Sequence, residues 1–399
     1  MVKLIKPLLS ESAHGSIIKH ITYSTRYNKN QTRYQKKQLD FNSPQRSIWR
    51  SLFHEAVDHW HLLNEDEKHV YDVAAVPLYI SGYNLYISLY LKGSSLAKGL
   101  VWQNLGQQYS QMFIFSIISL GSGVCLAGTA TDGKIIRSID YGLTWTDLGQ
   151  QYSQGSIYSF CNLGNNIILA GTGFDGKILR SVDNGLTWSD IDRPPGGAYI
   201  LSFTDIGNGI CLAGVGGYNH ILRSTDYGLT WTAIQAGSFE DYTYALIYLG
   251  SGICLAATSF NGKLLRSTDY GLTWIDQGKI CTDSILYSMI YIGNGRCLIG
   301  TGSYGYILIS IDYGVTWYNL GAQFNQSSIE CFAYLGDGIC LAGTGTNAKI
   351  LRSSNYGNTW SNLGPKEGEM FIRSLAYVGN NIALAGTALT GLLLRSAVL

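Results

Sequence analysis

Two charged residues interrupt an apolar pattern. Glu330 and Arg373 stand 43 residues apart, at a position that the same spacing fills with Phe115, Tyr158, Leu201, Tyr244 and Tyr287. A carboxylate beside a guanidinium could do acid–base work on a bound substrate, but such catalysis needs further unique groups converging on one point. The sequence offers none beside them, so an ion pair between neighbouring elements is the first reading. Carboxylates also recur at Asp140, Asp183, Asp226, Asp269 and Asp312, with Asn355 in a sixth place. Calcium takes about six to eight oxygens, and each of these sites brings one side chain. The cysteines show no CxxC or other ligand spacing. Cys125, Cys211, Cys254, Cys297 and Cys340 share one position that Ile168 and Ala383 fill elsewhere, the mark of a small apolar filler. Neither a metal nor another cofactor is expected.

The elements that position these groups follow from an internal repeat. Trp102, Trp145, Trp188, Trp231, Trp274, Trp317 and Trp360 keep a spacing of 43 residues without insertion or deletion. Arg137, Arg180, Arg223, Arg266, Arg352 and Arg395 keep it too, with Ile309 as the exception. Within one unit four β-rich runs, IYSFC, NIILAGT, KILRS and LTWSDI, are separated by Gly, Asn and Asp. Four short strands per ~43 residues is a propeller blade, since one such sheet must stack on its neighbours to bury its faces. The expected fold is mainly β, a seven-bladed β-propeller over residues 95–399. Its last unit ends at LLLRSAVL with three strands, and LVWQNLG near residue 100 is a fourth strand lacking three partners. Pairing them closes the ring three-plus-one and leaves no free edge.

The turn between third and fourth strands reads Ser-x-Asp-x-Gly-x-Thr-Trp, from Ser138 to Trp145 and in four further copies, with Asn355 in a sixth and a worn seventh from Ser95 to Trp102. This pattern resembles the Asp-box (BNR) repeat of sialidases, sortilin-type receptors, xyloglucanases and a photosystem assembly factor. Its physics is local: Asp or Asn accepts backbone N–H groups, Gly allows positive φ and Trp buries apolar area. The resemblance to sialidases implies an arginine triad, a Tyr/Glu nucleophile pair and an acidic donor. Six propeller arginines are locked to one repeat position, leaving Arg193, Arg296 and Arg373, and the Arg-Ile-Pro motif is absent. A sialidase-like glycosidase is therefore the second reading, and a client-holding assembly factor the third.

The fourth-to-first and second-to-third connections vary most and carry Tyr109, Tyr152, Phe174, Tyr218, Tyr242, Phe260, Tyr304 and Phe324 among Gln, Asn, Ser and Thr. Flat rings with amides and hydroxyls suit a glycan or a polar protein surface, or else merely cover the blade ends.

Residues 1–50 hold ten Lys or Arg against Glu11 and Asp40, in a chain whose totals are 28 against 27. Residues 1–42 read as a basic extended or β-arm. Residues 43–94 read as a small helical anchoring domain, with a helix from Ser43 through Trp60, a second capped by Asn64 and a third element at GYNLYISLYLKG. RYQKKQLDFNSPQRSIWRSLFHEAVDHWHLLNEDEKHVYDVAA and SGYNLYISLYL resemble a module of phage and prophage proteins. That resemblance implies a virion structural role, with other particle subunits as partners of the N-terminal region and the propeller displayed outward. No stretch approaches the ~18 apolar residues of a membrane span, and no signal peptide opens the chain. The expectation is a protein made in a host cytoplasm and carried on the particle, with nucleic acid outside its expected partners.

Overall fold

The computed structural model describes residues 102–396, leaving out 174, 192–193, 195–198, 218–219, 236–241, 260–261, 284 and 367; before them it describes 15–16, 22–26, 29–31, 57, 60–61, 65–75 and 81–91. The chain divides into two compact units, residues 1–97 and 98–398.

In the first unit, Gly15–Ser16, Thr22–Arg26 and Lys29–Gln31 pair as a three-stranded antiparallel sheet. Helices cover Glu65–Ala75 and Gly82–Leu91. Ser81 caps the second of these, its Oγ accepting the Asn84 N–H at 3.2 Å. Trp60 packs its ring against Tyr71, Tyr83 and Tyr86, and Tyr71, Tyr86 and Ile87 are buried. The expected start of a helix at Ser43 lies outside the described residues. No helix among the described residues is long and apolar enough to cross a membrane.

The second unit is a seven-bladed propeller of four-stranded antiparallel sheets. Blades 1 to 6 begin with Ile114–Gly121, Ile157–Asn162, Tyr199–Gly207, Thr243–Gly250, Leu286–Gly293 and Ile329–Gly336. Blade 7 joins Phe371–Gly379, Ile382–Ala388 and Leu392–Ser396 to Trp102–Gln107, with Ser396 opposite Trp102 and Leu392 opposite Gln107. First strands neighbour one another around the ring, blade 7 meeting blade 1. Second strands such as Ile168–Thr172 are buried throughout because neighbouring blades cover both their faces. Fourth strands such as Thr146–Gln150 are the outer, mostly wetted edge, which is why they read TDLGQ.

Three contacts recur at the seams between blades. The first is a hydroxyl bridge. Ser116 Oγ donates to Ile157 O at 3.3 Å, Ser159 to Ile200 at 3.0 Å, Ser202 to Thr243 at 3.5 Å and Ser288 to Ile329 at 2.9 Å. Cys331 Sγ does the same toward Ile372 and Ser374 toward Ile114, while Ala245 holds this position in blade 4 and leaves that seam unbridged. The second is a clamp. Arg180, Arg223, Arg266 and Arg395 donate Nε–H to the carbonyls of Tyr227, Tyr270, Tyr313 and Tyr141 in the next blade. The third is a close approach. Gly142, at φ +79, lies so near blade 7 that a methyl there would stand 2.6 Å from Leu384 Cδ1.

Candidate binding site at the channel mouth and loop face

First strands alternate fully buried residues, Ile114 and its equivalents, with half-buried ones that face the axis. The half-buried set is Phe115, Tyr158, Leu201, Tyr244, Tyr287, Glu330 and Arg373. Phe115 stacks on Tyr158 at 4.7 Å, and Tyr287 meets Tyr244 edge-on at 4.9 Å. Arg373 Nη1 donates to Glu330 Oε2 at 2.5 Å, and the guanidinium lies 4.6 Å from the Phe371 ring. Ser328 Oγ donates to the other Glu330 oxygen, so both carboxylate oxygens have partners. The Glu330 side chain is 5% exposed and that of Arg373 is 32%. Burial first, then Tyr287 and Tyr242, push the Tyr244 phenol up to about 12, with the Arg373 charge opposing from the far side of the ring. Burial raises Tyr158 and Tyr287 likewise. All three phenols are therefore protonated donors at neutral pH.

On the connecting loops, Tyr109, Tyr152, Tyr304 and Phe324 are exposed, and Tyr242 is half-buried, stacked on Tyr244 at 5.9 Å. Phe174, Tyr218 and Phe260 lie outside the described residues. Three loops share one turn, in which Tyr109–Ser110, Tyr152–Ser153 and Phe324–Asn325 all have positive φ. Their glutamines hold that turn together: Gln108 Nε2 reaches Leu105 O and Gln111 Nε2 reaches Tyr109 O, and Gln151, Gln154, Gln323 and Gln326 repeat these bonds. Tyr109 and Tyr152 donate their hydroxyls to Trp145 O and Trp188 O. The amides expected to meet a ligand are thus committed to the backbone, and the aromatic faces remain on view.

A polar position under these loops escaped the sequence reading. Gln111, Gln154, Asp283, Gln326 and Glu369 are equivalent and buried. Asp283 accepts the N–H groups of Ser303 and Tyr304 at 2.9 and 3.0 Å, and Thr390 donates to Glu369, so each ties one loop to the next. Desolvation would raise the Asp283 carboxyl, but these donors and Thr301 outweigh it and the net direction is down. The readable signal was a polar residue recurring at the repeat period.

The Ser–Asp–Gly–Thr–Trp turns occupy the opposite end of the blades. Asp140 Oδ1 accepts Thr144 N–H at 2.9 Å and the Ser138 hydroxyl at 2.7 Å, Oδ2 accepts the Thr144 hydroxyl at 2.6 Å, and Trp145 Nε1 donates to Gly142 O at 3.0 Å. Trp188 Nε1 apart, which is buried without an acceptor among the described residues, the turns of Asp183, Asp226, Asp269 and Asp312 repeat this wiring. Asn355 keeps it, with Nδ2 donating to Thr359 Oγ1. Partial burial pushes each carboxyl up, and the donors bring it down past the ordinary value, to about 2 for Asp269. An unfolded Asp titrates near ~3.9. A folded value below that gives stability present in full above about pH 4 and lost as pH falls through the folded value. Replacing the five aspartates by Asn should leave the neutral-pH melting temperature within a few degrees and flatten its fall between about pH 4 and 2. An unchanged acid slope in a pH-melting series would show that these turns do not set it.

The remaining chemistry-bearing residues lie apart from the mouth. Arg296 sits 5.7 Å over the Tyr356 ring at the turn end of blades 5 and 6, and so does not converge with Glu330 and Arg373. Arg193 lies outside the described residues. All eight cysteines are free thiols, and burial pushes Cys125, Cys211, Cys254, Cys297 and Cys340 up to about 12. Among the described residues no group of three His, Cys, Asp or Glu could hold a metal ion.

No protein-family model matches the chain, and no curated protein matches it. Solved structures do. YCF48 bound to D1 peptide is 17% identical with a TM-score of 0.61, over 74% of this chain and 96% of that one. The WD40 β-propeller domain of Doa1 is 13% identical with a TM-score of 0.60, over 75% and 97%. Streptogramin B lyase is 14% identical with a TM-score of 0.63, over 74% and 96%. These neighbours include an enzyme and non-enzymes, and at such identities the likeness establishes the architecture alone, a seven-bladed β-propeller.

Proposed function

We propose that this chain is a non-catalytic binding scaffold whose propeller offers its loop face to a polypeptide partner. The observation that carries this reading is pre-organisation: exposed rings at Tyr109, Tyr152 and Phe324 stand on turns already fixed by left-handed backbone and glutamine bonds. Rigid aromatic anchors lose little entropy on binding and are the side chains that dominate protein interfaces. YCF48, a propeller of similar architecture, is seen with a peptide. Tyr304 and Phe324 form the patch to test, since their loops are joined by the Gln323 N–H to Gly305 O bond. Peptides selected from a display library against the native protein should lose at least tenfold in affinity when Tyr304→Ala and Phe324→Ala are combined. Equal binding, with melting unchanged, would refute the loop face as the contact. A glycan ligand would show instead as retention on a glycan array that the same double variant abolishes.

A second reading, particle association, is favoured by the antiparallel sheet within the basic segment, residues 15–31. Density-gradient fractionation of the native source should then carry the chain with particles at fixed stoichiometry. Recovery only as free protein would remove that role.

A further inference from the structure

We propose that the channel mouth is an anion site in which Arg373 anchors the carboxylate of a ligand whose flat or apolar body lies among the aromatic rings. This deepens the binding-scaffold reading, and rests on it only in placing the ligand on the same face.

The arrangement of the ion pair selects the sign of the ligand. Glu330 is covered, and its two oxygens are held by Ser328 and Arg373. Arg373 uses one Nη1 donor on Glu330, its Nε–H is buried without an acceptor among the described residues, and its side chain is the exposed member of the pair. The pair is thus a dipole whose positive end is the part that solvent reaches. A ligand carboxylate can approach the exposed end of the guanidinium, while a cation would meet no open carboxylate. Phe371 lies against the guanidinium, which holds its plane in place for such a partner.

The ring selects the charge and shape. Of its seven members one is cationic, and the residues two places earlier, Phe113, Ser156, Tyr199, Tyr242, Ile285, Ser328 and Phe371, add no further charge. One cation already paired with Glu330 suits a monoanion and is too little for a phosphate dianion. The Arg373 charge acts on Tyr158, Tyr244 and Tyr287, whose phenols burial keeps protonated. Phe115, Tyr158, Tyr244 and Tyr287 supply ring faces and edges for the body of the ligand. The small residues opposite them are needed: a methyl at Gly173 or Gly302 would stand 2.4 Å from Tyr158 Cε2 or 2.6 Å from Tyr287 Cε2.

Two sources carry this chemistry, a free arylalkyl acid and the C-terminal carboxylate of a peptide. The test uses the full chain and ligand-observed NMR with 3-phenylpropionate, N-acetylphenylalanine, its amide, and a short peptide ending in Phe with a free or an amidated terminus. The acids should bind at least tenfold more tightly than their amides. Arg373→Gln should erase that preference, Arg373→Lys should keep part of it, and Arg296→Gln, at the other end of the blade, should leave it whole. Acid and amide binding alike, neither binding, or a preference surviving Arg373→Gln would overturn the site. If Arg373→Gln does not fold, the acid-to-amide ratio in the native protein decides the matter with the lysine variant. Comparable binding of small acids and peptides assigns the site to free acids, and binding of peptides alone assigns it to a chain terminus. No acid preference in the native protein, with selected peptides still dependent on Tyr304 and Phe324, would refute this site and leave the scaffold reading standing.

Discussion

A chain that begins at Gln108 should melt at least about 10 °C below one that begins at Lys98, or lose its cooperative transition altogether. The two differ by the strand Trp102–Gln107, the fourth strand of blade 7. Removing it uncovers the Leu392–Ser396 edge and takes Trp102 and Leu105 from the cores that they cover. Full burial of two such side chains is worth about 3 to 6 kcal/mol, and these two are half-buried, so they supply a fraction of that before any hydrogen bond is counted. The open edge would also invite pairing with other chains, so the shorter protein should aggregate in sedimentation. Equal melting of the two would mean that the ring is held by its seams and that the closing strand adds little.

Gly128→Ala is the second large effect. Gly128 faces Ser116 across two strands, and a methyl there would stand 2.6 Å from Ile157 Cγ2 and 2.7 Å from Ser116 Oγ. Overpacking of this kind costs about 1 to 3 kcal/mol, a melting shift of several degrees in a unit of this size. The protein contains its own control. Six seams set glycine against a β-branched residue of the next blade, as Gly214 faces Thr243 and Gly386 faces Ile114. The fourth seam has Ala257 beside Ala245 with Leu286 opposite, all buried. Leucine lacks the Cγ2 methyl that would strike the new Cβ, and alanine lacks the hydroxyl. Combining Ser116→Ala, Gly128→Ala and Ile157→Leu should therefore restore most of the melting temperature lost in the single variant. Failure of the triple change to recover any stability would show that the clash is elsewhere.

The same triad marks the boundary of what the sequence disclosed. The blades and their closing register were open to view because tryptophan every 43 residues can belong only to a stacked repeat, and an unpartnered LVWQNLG can pair only with LLLRS. The seam contacts were written there too, as Ser–Gly–Ile changing together to Ala–Ala–Leu, but one-letter periodicity does not say which residues of different blades touch. Arginines locked to one repeat position reach the following blade, which periodicity does not show because a side chain's direction is set by the stacking of sheets. The loop glutamines were misjudged for a related reason. Polarity alone cannot distinguish an amide facing a ligand from one bonded two residues away. At the mouth, Glu330 and Arg373 stood out as departures from the repeat, whereas the accompanying phenols looked like ordinary core aromatics.

Closure by Trp102–Gln107 also sets the timing of biosynthesis. The strand leaves the ribosome before any blade exists, and its partner Leu392–Ser396 leaves it almost three hundred residues later. At about 5 to 20 residues per second it waits on the order of 15 to 60 seconds with its bonding edge open. Blades 1 to 6 can form in order as they emerge, each stacking on the last, but the bridge from Ser374 to Ile114 can form only after Phe371–Gly379 has emerged. Chains cut short before Leu392 would therefore display an open ring to chaperones and proteases.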